Sequence, residues 1–205
     1  MATTDQTTSK RQVILDAATS VFSEKGFVGS NLDEVVAAAA VSKQTLYKHF
    51  ADKASLFREI VLELGESVDA QLPGLPEPDE IGDVDEWVQA LALRFTRAVM
   101  DPKVQRTRRL VIAEAPRFPD AATAYWERGF DRILGTVAEH FRVLTEAGKL
   151  HAPDPLTAAQ HFAGLLLWIP SNRTMFSGRP DLVRDRELKR SARAGADAFL
   201  RAYRA

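Results

Sequence analysis

Ser30-Asn31-Leu32-Asp33-Glu34-Val35-Val36-Ala37-Ala38-Ala39-Ala40-Val41-Ser42-Lys43-Gln44-Thr45-Leu46-Tyr47-Lys48-His49-Phe50-Ala51-Asp52-Lys53 breaks into two short helical segments around a tight turn. Leu32, Val35, Val36 and Ala39 recur at the three- and four-residue spacing of one helix face, with Ser30 as the expected N-cap. Ser42 is the expected cap of a second helix, Lys43 to His49, whose inward residues are Val41, Leu46 and Phe50. Its outer face is Lys43, Gln44, Thr45, Tyr47, Lys48 and His49. That is the chemistry of a helix that enters a DNA major groove. Lysines reach phosphates or guanine acceptors, Gln44 suits a bidentate contact to adenine, and the Thr45 methyl suits a thymine methyl. The Tyr47 hydroxyl suits a phosphate oxygen. Taken alone, Lys43 to Lys48 also reads as a solvated helix face. The helix before it, the caps and the helix after it favour DNA.

The same spacing runs outward in both directions, so the fold class is all-α: a small helix-turn-helix domain followed by a larger helical domain. A first helix, Lys10 to Lys25, carries Val13, Ile14, Ala17, Ala18, Val21 and Phe22 inward, and Gly26 offers a left-handed stop. Asp52 caps a fourth helix reaching Gln71, with Leu56, Phe57, Ile60, Val61, Leu64 and Val68 inward. Pro73, Pro76 and Pro78 end it. Beyond them the pattern predicts helices over Val84 to Met100, Lys103 to Ala115 and Asp120 to Ala147. The last of these ends at Gly148, with Leu150 as the apolar contact after the cap. Asp154-Pro155 pairs an N-cap with a proline at the first helical position, opening a helix that Pro170 kinks or ends after Ile169. A final helix runs from Asp185 to Tyr203 with Leu188, Ala192, Gly195, Ala196, Phe199 and Tyr203 as its stripe.

Composition narrows the function. The 205 residues are 45% hydrophobic and 27% charged, which suits a soluble globular chain with a real core. The absence of Cys removes disulfides, thiolate metal sites and a cysteine nucleophile, and suits a reducing cytoplasm. No apolar run approaches the roughly 20 residues that span a bilayer. The polar start lacks the apolar core of a signal peptide. The net charge of −1 hides an uneven distribution. Lys10, Arg11, Lys43, Lys48 and Lys53 gather near the helix-turn-helix, while Glu77, Asp79, Glu80, Asp83, Asp85 and Glu86 crowd the linker and the start of the next helix. This fits a focused DNA contact better than a nonspecific coat. No Gly-rich phosphate loop, Gly-x-Ser-x-Gly or His-Glu-x-x-His occurs. His49, His140, His151 and His161 do not share a helix face at metal-ligand spacing. The expectation is no enzyme, no metal and no cofactor.

Ser30-Asn31-Leu32-Asp33-Glu34-Val35, Ala37 through Phe50, Asp52-Lys53 and Leu56-Phe57 resemble the N-terminal domain of TetR-family transcriptional regulators, over about Arg11 to Phe57. The resemblance implies a dimer, a third helix that reads the major groove, and a C-terminal domain that binds a small-molecule inducer. It divides the chain into a DNA-binding domain at 10–52 and a ligand-binding and dimerisation domain at 53–205. Carried onto this sequence, Lys43, Gln44 and Thr45 become groove contacts. Tyr47, His49 and Lys53 become mainly backbone contacts, Asn31 a phosphate contact, and Ser42 and Lys48 complete the surface. Two positions depart from the family pattern. Ala40 stands in the turn where glycine is usual, and a left-handed alanine costs about 1 kcal/mol. Asn31 stands where a hydroxyl residue is usual. Leu110 through Pro119 with Tyr125-Trp126-Glu127-Arg128-Gly129 resembles the C-terminal subgroup called AefR-like.

The second half is rich in large aromatics. Most read as core, and a subset with a few polar groups reads as the wall of a partly apolar ligand's pocket. The candidates are Trp87, Gln89, Phe95, Glu114, Trp126, Phe130, Phe162, Trp168 and Asn172, with Arg128 and His161 as further polar groups. Leu156 to Ile169 is apolar nearly all round, and Ala192, Ala194, Gly195 and Ala196 form a small-residue stripe. These two helices are expected to pair with their symmetry mates as a four-helix dimer interface, or else to finish the monomer core. The function that emerges is a cytoplasmic, homodimeric, ligand-released repressor on a palindromic operator. A DNA-binding regulator or architectural protein without an inducer is the alternative, and an enzyme a remote third.

Overall fold

The computed structural model describes residues 9–69, 82–177, 179 and 183–205, with side chains described throughout these except at 64–69. Pro73, Pro76, Pro78 and Gln71 therefore lie outside the described residues, as do the Leu64 and Val68 side chains. The described regular structure is helical, apart from one antiparallel bridge between Leu150 and Arg204. None of the described helices is long and apolar enough to cross a membrane. The chain packs as two compact units: Met1–Glu63 with Arg106–Thr123, and Leu64–Gln105 with Ala124–Ala205.

In the first unit, α1 (Lys10–Gly29) starts at Ser9, whose hydroxyl accepts from the Gln12 N–H. Gly26 breaks its regularity with a φ of 72°, where the sequence placed a stop, and a further turn carries the chain to Ser30. Ile14, Leu15, Ala18, Thr19, Val21, Phe22 and Phe27 are buried. The buried face thus includes Leu15 and Thr19 as well as the predicted stripe, while Val13 and Ala17 sit at its edge. The cap of α2 (Leu32–Ala39) is Asn31, not Ser30. The Asn31 side chain accepts from the Glu34 N–H at 2.9 Å, and the Glu34 carboxylate accepts from the Asn31 N–H at 3.2 Å. Ser30 is buried and donates to the Phe27 carbonyl instead. The capping-box arrangement satisfies two helix-end donors at once, which favours the Asn–Glu pair over a lone serine.

The helix α3 (Lys43–His49) follows, and then α4 (Lys53–Asp69). Asp52 Oδ1 accepts from the Ser55 N–H at 2.7 Å. Leu46, Phe50, Leu56, Phe57, Ile60 and Val61 close the core with Ile14, Phe22 and Val35. The helix α6 (Pro102–Glu114) ends in a turn that delivers Phe118 to this same core. Phe118 packs 4.8 Å from Phe27 and 4.7 Å from Phe57, centroid to centroid.

The second unit is built on α5 (Val84–Val99), α8 (Arg132–Glu146), α9 (Pro155–Ser177) and α10 (Asp185–Tyr203). Phe95, Phe141, Phe162 and Phe199, one from each helix, meet at its centre with centroids 4.8 to 6.1 Å apart. The predicted single helix from Asp120 to Ala147 is α7 (Pro119–Tyr125), a π-helical turn at Trp126–Asp131, and α8. The extra residue in that turn shifts the register between the two flanking helices. Gly148 has a φ of 69°, and Lys149 N–H returns to the Leu144 carbonyl at 2.9 Å, leaving Leu150 buried. Asp154 caps α9 by accepting from both the Thr157 N–H and its hydroxyl.

Pro170 does not end α9, which runs on to Ser177 with Pro170 buried. A proline inside a helix leaves the carbonyl four residues back without its donor. That carbonyl belongs to Leu166, and the Ser191 hydroxyl of α10 donates to it at 3.2 Å. The small-residue stripe of α10 faces the same helix. A Cβ added at Gly195 would lie 2.7 Å from Leu166 Cδ2 and 3.1 Å from the Leu165 carbonyl oxygen. Gly195 and its buried neighbours Ala192 and Ala196 therefore serve contact within the chain.

Candidate DNA-reading surface

The outer face of α3 is held by a small number of buried anchors. Leu46 is fully buried, and Phe50 nearly so, while Lys43, Gln44, Tyr47, Lys48 and His49 are exposed. Tyr47 leaves 55% of its surface open, with its hydroxyl at the surface. The turn before α3 is pinned by Ala40 in the left-handed region (φ 51°, ψ 42°), the only non-glycine with positive φ among the described residues. Its N–H turns back to Ala37 O, and the Val41 N–H to Val36 O at 3.3 Å. The departure from glycine read in the sequence is thus a real left-handed alanine.

The candidate contacts differ in how far they are already engaged. Ser42 Oγ accepts from the Thr45 N–H at 3.0 Å and lies 2.8 Å from Thr45 Oγ1, so Thr45 presents chiefly its methyl. Lys43 Nζ sits 2.8 Å from an Asp33 carboxylate oxygen, and this hydrogen bond raises its pKa. Asn31 spends its side-chain oxygen on the α2 cap, which leaves the amide nitrogen for an outside acceptor. Lys53 is set apart from the rest. Its ammonium donates to the Ser30 carbonyl and lies 4.5 Å from the Phe27 ring centroid, and burial pushes its pKa down. The neighbouring Glu34 carboxylate, held by Lys25 and by the Asn31 N–H, titrates below its ordinary range.

Sequence reasoning missed how this unit is buttressed. Phe118 joins Phe22, Phe27 and Phe57, and three cations cover the cluster: Lys53 and Arg117 over Phe27, Arg58 over Phe118 at 5.3 Å. Arg58 also bonds Asp120 at 3.0 Å, and that bond lowers the Asp120 pKa. Nothing in the local pattern around Phe118 announces a partner so much earlier in the chain.

The candidate pocket residues do not gather into one wall. Trp87, Phe95 and Phe162 are core of the second unit. Trp126 and Trp168 are exposed, Trp168 by 70%, and Phe130 is half-buried against Trp126. Gln89 donates to Asp197 at 3.3 Å, and the Asn172 amide donates to the Trp168 carbonyl at 2.7 Å. Glu114 belongs to the first unit, 3.6 Å from Arg117. His161 pairs with the Tyr203 hydroxyl at 2.5 Å. The buried polar atoms that lack a partner in the second unit include Trp87 Nε1, Thr96 Oγ1 and Gln105 Oε1. Thr96 and Gln105 sit at positions that the apolar pattern treats as core, so no sequence signal picks them out. No cluster of three or more metal-ligating side chains occurs among the described residues.

Residues 14–60 match the model of bacterial regulatory proteins of the tetR family, and residues 86–205 that of the AefR-like transcriptional repressor C-terminal domain. The HTH-type transcriptional regulator UidR of Escherichia coli strain K12 is 31% identical over 159 residues, 77% of this chain and 76% of UidR. A TetR-family transcriptional regulator from Mesorhizobium loti MAFF303099 superposes with a TM-score of 0.86 at 38% identity, over 96% of this chain and 97% of that one. The flavonoid-responsive regulator FrrA superposes with a TM-score of 0.72 at 26% identity, over 95% of this chain and 97% of FrrA. The chain belongs to the TetR family of transcriptional regulators, with an N-terminal helix-turn-helix and an AefR-like C-terminal domain.

Proposed function

We propose that this regulator is a repressor that binds a palindromic operator as a homodimer and leaves it when a small molecule occupies the helical body. The observation that carries the reading is the polar face of α3, with Lys43, Gln44, Tyr47, Lys48 and His49 exposed and Thr45 half-buried, standing on the buried Leu46 and Phe50. Lys43, Gln44 and Thr45 face the groove. Tyr47, Lys48, His49 and the Asn31 amide face phosphates, and Ser42 holds the helix N-terminus to which a phosphate is drawn. Lys53 holds the Ser30 carbonyl and reaches a phosphate only by giving that contact up.

Residues 10–52 do the reading, and 53–205 the sensing and pairing. Leu165, Trp168, Ile169 and Phe176 lie exposed along α9, an apolar strip suited to the same strip on a second copy. Two reading helices then fall in successive major grooves if they stand about 34–36 Å apart. A partly apolar inducer fits an aromatic-rich body, with Trp87 Nε1, Thr96 Oγ1 and Gln105 Oε1 as polar groups awaiting a partner. FrrA, responsive to flavonoids by its name, supports a small organic effector. An inducer shifts the equilibrium only by its affinity difference between the DNA-bound and released conformations. No catalytic step is assigned to the chain, and the setting proposed is the cytoplasm, without a resident cofactor.

The test is selection of bound fragments from genomic DNA, followed by release assays with small aromatic and aliphatic compounds. A recurrent symmetric fragment that a compound releases supports the reading. Enrichment of no sequence contradicts operator recognition, and an operator that no compound releases contradicts the inducer.

A further inference from the structure

Between the end of α9 and the start of α10 lies a cavity of about 450 Å³ lined by Arg173, Arg184, Arg186, Glu187 and Arg190. Four arginines and one glutamate line it, in a chain whose formal net charge is −1. The nearby acids are committed. Asp185 is shared by Arg97 at 2.8 Å and Lys189 at 3.0 Å, and Glu187 reaches Arg173 at 3.7 Å. Among the described residues Arg184, Arg186 and Arg190 form no ion pair. Like charges held together in a concavity focus a positive potential into it. Arg184 also occupies the N-cap position of α10 and has no side-chain oxygen to offer the first-turn N–H groups, so the helix end adds to the same field.

We propose that this cavity binds a phosphorylated small molecule carrying two or more negative charges. The guanidinium is planar and always charged, and its paired N–H groups match phosphate oxygens two at a time. Lysine-rich surfaces attract anions loosely, whereas four arginines in one concavity give directional recognition. The volume falls in the range of roughly 300–1,000 Å³ usual for small-molecule sites, more room than a lone ion needs. Arg173 comes from α9, Arg186 and Arg190 from α10 and Arg184 from its N-cap, so an occupant bridges the two helices and stabilises their pairing. The site is distinct from the aromatic body assigned to the inducer and stands whether or not that assignment does.

The test is calorimetric titration and thermal melting of the full chain with inorganic phosphate, pyrophosphate and ATP at constant ionic strength, with R186A/R190A and R186K/R190K beside the wild type. We expect saturable binding of pyrophosphate and ATP and a rise in Tm. R186A/R190A should weaken binding at least tenfold while its circular dichroism stays unchanged. R186K/R190K, which keeps the charge and loses the bidentate fork, should fall in between. ATP binding far tighter than pyrophosphate identifies a phosphate ester as the occupant, and comparable binding identifies free phosphates; both support the site. Equal binding by wild type and R186A/R190A overturns it. So does an unsaturable response that chloride at matched ionic strength reproduces. R186A/R190A altering only nonspecific DNA affinity, or only dimer dissociation, also overturns it and makes the arginines a nucleic-acid face or a subunit contact.

Discussion

Lys43 and Asp33 form an ion pair, Nζ to Oδ1 2.8 Å, that ties the first residue of α3 to the first turn of α2. Both side chains are mostly exposed, so the pair contributes little to stability. On the proposed reading its consequence is for binding, because Lys43 would trade a carboxylate for a phosphate or a base while Asp33 stays close to the DNA. Asp33→Asn should therefore raise operator affinity by about two- to fivefold. Fluorescence anisotropy with labelled operator measures it. Unchanged or weaker binding would show that Asp33 helps place Lys43.

Ala40 is the strained point of the helix-turn-helix. At φ 51° it bears the Cβ clash that glycine avoids. Ala40→Gly should stabilise the protein by about 1 kcal/mol, offset in part by the greater freedom of glycine in the unfolded chain. The urea midpoint should rise at constant slope. A lower midpoint would mean that the turn does not carry this strain.

The bond from Ser191 to the Leu166 carbonyl explains why α9 survives Pro170. Ser191→Ala should cost about 1 kcal/mol, the net worth of one such bond. In a Pro170→Ala background the helix regains its own donor at position 170, and the same Ser191→Ala change should cost much less. A double-mutant cycle on denaturant midpoints reads this coupling. Strictly additive effects would dissociate the serine from the proline.

The exposed strip on α9 makes a prediction about assembly. Trp168→Glu combined with Phe176→Glu places charge on residues that are 70% and 87% exposed. In a monomer such substitutions are nearly neutral; in a dimer built on this strip they bury unpaired carboxylates. Sedimentation of the wild type should give a dimer and of the double variant a monomer with unchanged helicity. A monomeric wild type, or a dimeric variant, would remove the strip from the interface.

Much of this is legible in the sequence, and the limits have physical causes. The turn chemistry at Gly26, Ala40, Gly148 and Asp154-Pro155 is local, so it reads directly from the chain and recurs in the structure. Of the two outcomes that Pro170 allows, a kink or an end, the sequence does not exclude the end, because the Leu166 carbonyl that the proline orphans is met from α10, a contact that no window around residue 170 contains. Ser30 and Asn31 are both good caps, and only the reach of Glu34 back to the Asn31 N–H decides between them. The stripe of small residues on α10 announces close approach of another helix without saying which, and at Gly195 that helix is α9 of the same chain. The face of α3 is legible because exposure of so many long polar groups on one short helix needs no tertiary information. The pocket candidates are not, since aromatic spacing is the same for a core as for a cavity, and Glu114 and Phe118 depend on which unit the turn after α6 joins.

The central claim is that α3 reads DNA sequence, and footprinting on a genome-selected operator fragment tests it most directly. Wild-type protein should protect a symmetric site with half-site centres about one helical turn apart. Gln44→Ala should keep much of the affinity yet protect sites with relaxed base preference, while Lys48→Ala should bind more weakly everywhere and with a shallower salt dependence. Protection that is unchanged by both substitutions, in sequence and in salt dependence, would contradict the claim.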